Sequence, residues 1–174
     1  MRTVAITGGI STGKSHVVGL LRQRSVPTLD TDQVARAVVE PGHPAQDALR
    51  SRFGPAIFDA SSQLDRQALA TIVFDDPAIR ADLEAIIHPP VREIIDVWFH
   101  RCAETTAATF AVADIPLLFE VGRADAFDHV VVVACDPKVQ ITRLMKRDRL
   151  SEANARKRIA AQLPIEEKVA HAHW

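Results

Sequence analysis

Gly8, Gly9, Ile10, Ser11, Thr12, Gly13, Lys14 and Ser15 fill every fixed position of the pattern G-x-x-x-x-G-K-[ST]. That is phosphate chemistry. Backbone N–H groups can wrap a polyphosphate only where no side chain intervenes and the chain can reach positive φ, which is what glycines at 8, 9 and 13 allow. The anion then rests on a helix end with unpaired N–H groups and a positive dipole. Lys14 adds a full charge near the β- and γ-phosphates, and the Ser15 hydroxyl suits Mg²⁺.

The elements needed to hold such a loop are legible on both sides of it. Residues 3–7 (TVAIT) read as a short buried strand, and residues 14–24 carry Val17, Val18, Leu20 and Leu21 at helical spacing. Residues 26–29 read as a second strand running into Asp30, Thr31 and Asp32. Ligands of open α/β sheets bind at such strand ends. Asp32 there is either a cap for a helix over 33–39 or, beside a phosphate loop, the carboxylate that orients and deprotonates an alcohol nucleophile.

From the Glu40-Pro41-Gly42-His43-Pro44 break to about residue 107 no strand pattern occurs. Apolar spacing predicts helices over 45–53, 66–74 and 78–87, a break at His88-Pro89-Pro90, and a further helix over 91–102. This helical insertion is expected to close over a second substrate. Residues 109–114 and 129–134 are buried strands of the parallel kind. The first ends in Asp114, which is either a turn acid before Pro116 or the strand-end carboxylate that holds Mg²⁺. Asp136-Pro137 then starts a helix carrying Arg143, Lys146 and Arg147, and Ser151 starts another. Arg143 and Arg147 share a face and read as either solvated surface or lid cations for a transferred phosphoryl group.

Composition narrows the class. A chain of 174 residues with 47% hydrophobic content supports one compact α/β domain with a helical insertion. A net charge of −1 argues against a nucleic-acid footprint. Cys102 and Cys135 are too few for a metal cluster or a disulfide framework. No charged-then-apolar leader precedes the first strand and no apolar run approaches a membrane span, so a soluble, cytoplasmic setting is expected. His171 and His173 are expected in a frayed terminus.

Taken in order, residues 7–15, 30–36 (DTDQVAR), 39–42 (VEPG), 87–89 (IHP), 114–120 (DIPLLFE) and 143–148 (RLMKRD) resemble the dephospho-coenzyme A kinase family, from the first strand to about Gln162. The resemblance implies a three-layer αβα nucleoside-triphosphatase fold with a phosphate loop, a parallel sheet, a helical acceptor domain and a lid. It implies transfer of the ATP γ-phosphoryl group, with Mg²⁺, to the 3′-hydroxyl of the ribose of dephospho-coenzyme A. Carried over by position, Asp32 is the base, residues 8–16 hold ATP, Arg36 and His88 lie in the acceptor region with Asp32, and Ser15 and Asp114 serve the metal. Lys14, Arg143 and Arg147 assist transfer. The expected division is 1–29 with 108–136 as nucleotide core, 30–107 as acceptor domain, 137–163 as lid and 164–174 as the end of the core. A monomer or weak homo-oligomer is expected, with no nucleic acid or membrane partner.

His16 stands where the family usually has Thr. Family members also continue beyond residue 174 into another strand, an Asn-Gly loop and a helix, so a shortened form is expected, with nucleotide affinity in question. Alternatives are another small-molecule or nucleoside monophosphate kinase, or a protein that binds nucleotide without turnover. A guanine-reading switch lacks its Asn-Lys-x-Asp segment here.

Overall fold

The computed structural model describes residues 1–73 and 76–174. Two compact units divide these: residues 1–30 with 99–174, and residues 31–98.

The first unit is built on a parallel sheet of β1 (Arg2–Gly8), β2 (Thr28–Asp30), β3 (Phe110–Asp114) and β4 (His129–Val133), in the order β2-β3-β1-β4. β1 is central, with Ala5 opposite both Ala113 of β3 and Val130 of β4. Its residues 4–8 are all buried, as a strand covered on both faces requires. The helix α1 (Lys14–Gln23) makes the crossover to β2 and packs Val18 onto Val4, Ile6 and Val112. Burial of each such side chain contributes about 1.5–3 kcal/mol.

After β4 the chain forms α6 (Pro137–Asp148), α7 (Glu152–Ala160) and α8 (Ile165–Ala170). Their starts are local in origin. The Asp136 side chain accepts from Lys138 N–H at 2.7 Å with Pro137 in the first turn, and Ser151 Oγ accepts from Asn154 N–H at 3.3 Å. The end of the chain is not frayed, as the sequence suggested. His173 N–H donates to the Val130 carbonyl at 2.9 Å, Val130 N–H donates to His173 Nδ1 at 3.1 Å, and Val132 N–H donates to the Trp174 carbonyl at 2.9 Å. β4 has a row of polar backbone groups facing away from β1, and the tail satisfies them.

The second unit is helical: α2 (Thr31–Ala37), α3 (Pro44–Phe53), a 3₁₀ turn over Pro55–Ile57, α4 (Arg66–Val73) and most of α5 (Pro77–Thr105). Its buried side chains include Val38, Val39, Leu49, Ile57 and Leu69. Phe74, expected to end α4, lies outside the described residues.

Two expectations need correction. α5 does not break at His88-Pro89-Pro90 but continues through both prolines. A proline ring fixes φ near the helical value, and what it removes is a hydrogen bond, at about 3 kcal/mol per interior position. The remaining turns of a 29-residue helix, with Ile95, Phe99 and Cys102 buried farther along, offset that cost. His88 therefore sits on an unbroken helix. The helix after β2 also begins two residues earlier than predicted, at Thr31. Asp32 is thus inside the first turn, where an acid complements the helix dipole.

Both cysteines are free thiols, and burial pushes the Cys102 thiol pKa up. No helix among the described residues is long and apolar enough to cross a membrane.

Candidate active site

The phosphate loop joins the central strand to α1, and its geometry follows from its residue types. A Cβ at Gly8 would stand 2.4 Å from the Val133 carbonyl oxygen of the neighbouring strand, so only glycine fits. Gly13, at φ 107°, is the N-cap of α1 and offers no side chain to it. The first turn of α1 contains no acid either. His16 N–H already donates to the Gly13 carbonyl at 2.9 Å, and the N–H groups ahead of it, with the positive dipole end, are oriented to receive an external anion. Ser11 Oγ is buried without a hydrogen-bond partner, an unmet polar group that a phosphate oxygen would satisfy.

Two cations face this cradle. Lys14 Nζ is ion-paired with Asp114 at the end of β3, so the first turn of α1 and the tip of the adjacent strand share a charge pair. Arg143 on α6 donates from Nη1 to the Thr12 carbonyl at 3.2 Å. Thr12 itself is buried, its hydroxyl donating to the Gly9 carbonyl at 2.9 Å. Ser15 and His16, both exposed, follow Lys14 in the first turn of α1.

Arg147 is placed differently from Arg143. Its Nε donates to Asp148 Oδ1 at 2.7 Å, and Arg158 of α7 reaches Asp148 Oδ2 at 2.6 Å. Hydrogen bonding from Arg147, reinforced by the Arg158 charge, holds the Asp148 carboxyl below its ordinary range. The two arginines thus make different contacts, one with the loop backbone and one in an α6–α7 ion-pair cluster.

Asp32, Arg36 and His88 belong to the helical unit. Asp32 and Arg36 are four residues apart on α2 and share a face. His88 lies in the middle of α5.

Sequence reasoning gave no role to Gln140, Gln162, Glu120 or Lys168. Gln140 Nε2 donates to the Ile10 carbonyl at 2.7 Å, and Ile10 N–H donates to Gln162 Oε1 at 2.8 Å. Lys168 Nζ, fully buried, lies 2.6 Å from Glu120 Oε1, which also accepts from Leu163 N–H at 3.1 Å. Partial burial pushes the Glu120 pKa up, but Lys168 and the backbone donors outweigh it and the net shift is downward. Neutral amides make no motif and a lysine near the chain end reads as surface, so periodicity alone could not flag these groups.

The sequence model of the dephospho-CoA kinase family matches residues 2–174. The chain belongs to the dephospho-CoA kinase family. Among similar members, the dephospho-CoA kinase of Anaeromyxobacter dehalogenans is 47% identical over 174 residues, which cover all of this chain and 82% of that protein. The dephospho-CoA kinase of Geobacillus kaustophilus is 41% identical, over 98% of this chain and 84% of the other. Among solved structures, TT1252 from Thermus thermophilus superposes with a TM-score of 0.86 at 36% identity, covering 99% of this chain and 86% of that one. Dephospho-CoA kinase from Campylobacter jejuni gives a TM-score of 0.71 at 26% identity, with 99% and 85% coverage. The parallel sheet and phosphate loop described above are therefore the family's fold.

Proposed function

We propose that this chain phosphorylates dephospho-CoA with ATP, giving CoA and ADP, and that the acceptor is the ribose 3′-hydroxyl. One observation carries the reading. A glycine loop with an uncapped helix end, an orphan buried hydroxyl and two converging cations is built into a chain that matches this kinase family along its length.

Residues 8–16 cradle the ATP phosphates. Lys14 neutralises charge near the β- and γ-phosphates, and Arg143 offsets charge that grows on the transferred group. Asp32 accepts the proton of the acceptor hydroxyl as its oxygen attacks the γ-phosphorus. The bond to the β–γ bridging oxygen breaks and ADP leaves. Arg36 and His88 hold the acceptor, and Arg147 steadies the lid through Asp148.

Magnesium fits the donors available. The Ser15 hydroxyl and the Asp114 carboxylate are hard oxygen ligands, and the Lys14 pairing brings Asp114 to the cradle. When bound, the ion would supply positive charge to the phosphate oxygens. In the same reading, residues 1–29 and 108–136 form the nucleotide core, 30–107 the acceptor domain, 137–163 the lid and 164–174 the end of the core. A monomer or weak homo-oligomer acting in the cytoplasm completes it.

The test is an ADP-release assay with Mg²⁺ and ATP against a panel of acceptors. Dephospho-CoA is expected to be the preferred acceptor, with the product carrying a new 3′-phosphate. Equal or faster phosphorylation of nucleoside monophosphates would overturn the assignment, and ATP binding without product would favour a binding-only protein.

A further inference from the structure

Ile10 is the third residue of the phosphate loop, and both polar atoms of its backbone are taken by side chains from the segment after β4. Gln140 donates to its carbonyl at 2.7 Å and Gln162 accepts from its N–H at 2.8 Å. The backbone fixes the roles. A carbonyl only accepts and an amide N–H only donates, so Gln140 must present its NH₂ and Gln162 its oxygen. Gln140 is only 3% exposed, and the chain makes room for it, since a Cβ at Gly9 would lie 2.8 Å from Gln140 Nε2.

The placement of the two glutamines gives the contact its meaning. Gln140 lies in the first turn of α6 and Gln162 lies two residues past the end of α7. They bracket the helical pair that carries Arg143 to the Thr12 carbonyl. Gly9, Gln140 and Gln162 also line a cleft of about 490 Å³ with Ile141, Ile159 and Pro164. An occupant of that cleft would touch the loop and both helices at once.

We infer that Gln140 and Gln162 are positioning residues that clamp the two peptide units flanking Ile10, keep the phosphate loop open for a triphosphate, and couple the α6–α7 pair to its occupancy. This rests on reading the loop as the ATP site. Either peptide unit, once it loses its partner, is free to turn, and the N–H array no longer converges on one anion.

The test uses opposite responses to one chemical change. Gln140→Glu and Gln162→Glu each place a carboxylate against the backbone of the same residue, so a penalty for negative charge beside ATP falls on both. At 162 the carboxylate still accepts from Ile10 N–H; at 140 two acceptors face each other and the bond is lost. KM for ATP is expected to rise at least tenfold more in Gln140→Glu than in Gln162→Glu, with Gln162→Leu and Gln140→Leu resembling the former. Equal KM values for the two Glu variants, or Leu variants within twofold of the unaltered protein, would overturn the clamp. Thermal unfolding of each variant is recorded alongside, because a purely structural role would lower Tm and leave KM for ATP unmoved. Calorimetric ATP affinity of the same set reads the clamp without turnover. An unaltered protein that binds ATP but fails with dephospho-CoA sinks the functional reading and leaves this one to be judged on the affinities.

Discussion

Lys14 and Asp114 lie one hundred residues apart in the chain and form an ion pair at the mouth of the phosphate loop. Their side chains are only 14% and 12% exposed. The strand-end carboxylate thus orients the loop's one full positive charge, and an oriented side chain has less rotamer freedom to lose on binding a polyphosphate.

Lys14→Ala should lower kcat/KM for ATP by about 10²-fold or more, the scale of losing a preorganised electrostatic group. Steady-state kinetics with ATP varied measures it. A loss smaller than threefold would show that the lysine does not serve the phosphates.

Asp32→Asn should lower turnover by about 10²-fold and leave calorimetric ATP affinity close to that of the unaltered protein, as expected of a lost general base. Thermal unfolding of the variant is recorded alongside, because Asn in the first turn of α2 loses the acid's favourable interaction with the helix dipole. Unchanged turnover would remove Asp32 from the reaction.

Glu120→Gln should destabilise the fold by about 3 kcal/mol, because it leaves the fully buried Lys168 ammonium without its counter-charge. The pH dependence has a definite sign. The folded pKa of Glu120 is depressed from its ordinary value near 4.5, so its contribution is complete above that value and is lost as pH falls through the folded pKa. Denaturant titrations below about pH 4.5 should therefore show a shallower acid loss in Glu120→Gln than in the unaltered protein. Parallel curves would contradict the pairing.

Gly8→Ala should cost far more stability than Gly19→Ala. The added methyl at 8 meets the Val133 carbonyl oxygen at 2.4 Å, whereas a Cβ at 19 meets nothing within 4 Å. Neither glycine has positive φ, so neither substitution adds left-handed backbone strain. Position 19 is helical, and alanine there should be neutral or stabilising by about 1 kcal/mol. Equal melting temperatures for the two variants would refute the close approach.

Much of this site was legible in order along the chain. The loop glycines, Lys14 and Ser15 are fixed by local geometry, since a cradle of backbone N–H groups has few sequence solutions. The central strands β1 and β3 were visible because parallel strands buried on both faces read as short apolar runs, and the half-buried outer strands β2 and β4 still carry enough apolar residues to show. The starts at Pro137 and Ser151 were visible because caps are local. Pro89 and Pro90 were misleading for the same reason: the rule that proline breaks a helix is local, and the packing of the later turns overrode it. The tail at His173 was misread because its partners lie on β4, more than forty residues away.

By itself, then, the sequence determined the phosphate loop, the strand and helix alternation and the family, because each depends on residues close together or on motifs in series. Tertiary structure alone decided the strand order β2-β3-β1-β4, the pairing of Lys14 with Asp114, the separation of Arg143 from Arg147, and the two glutamines on Ile10. Those are contacts between groups distant in the chain. They exist only once parallel crossovers have carried the segments together, and no local spacing encodes which groups will meet.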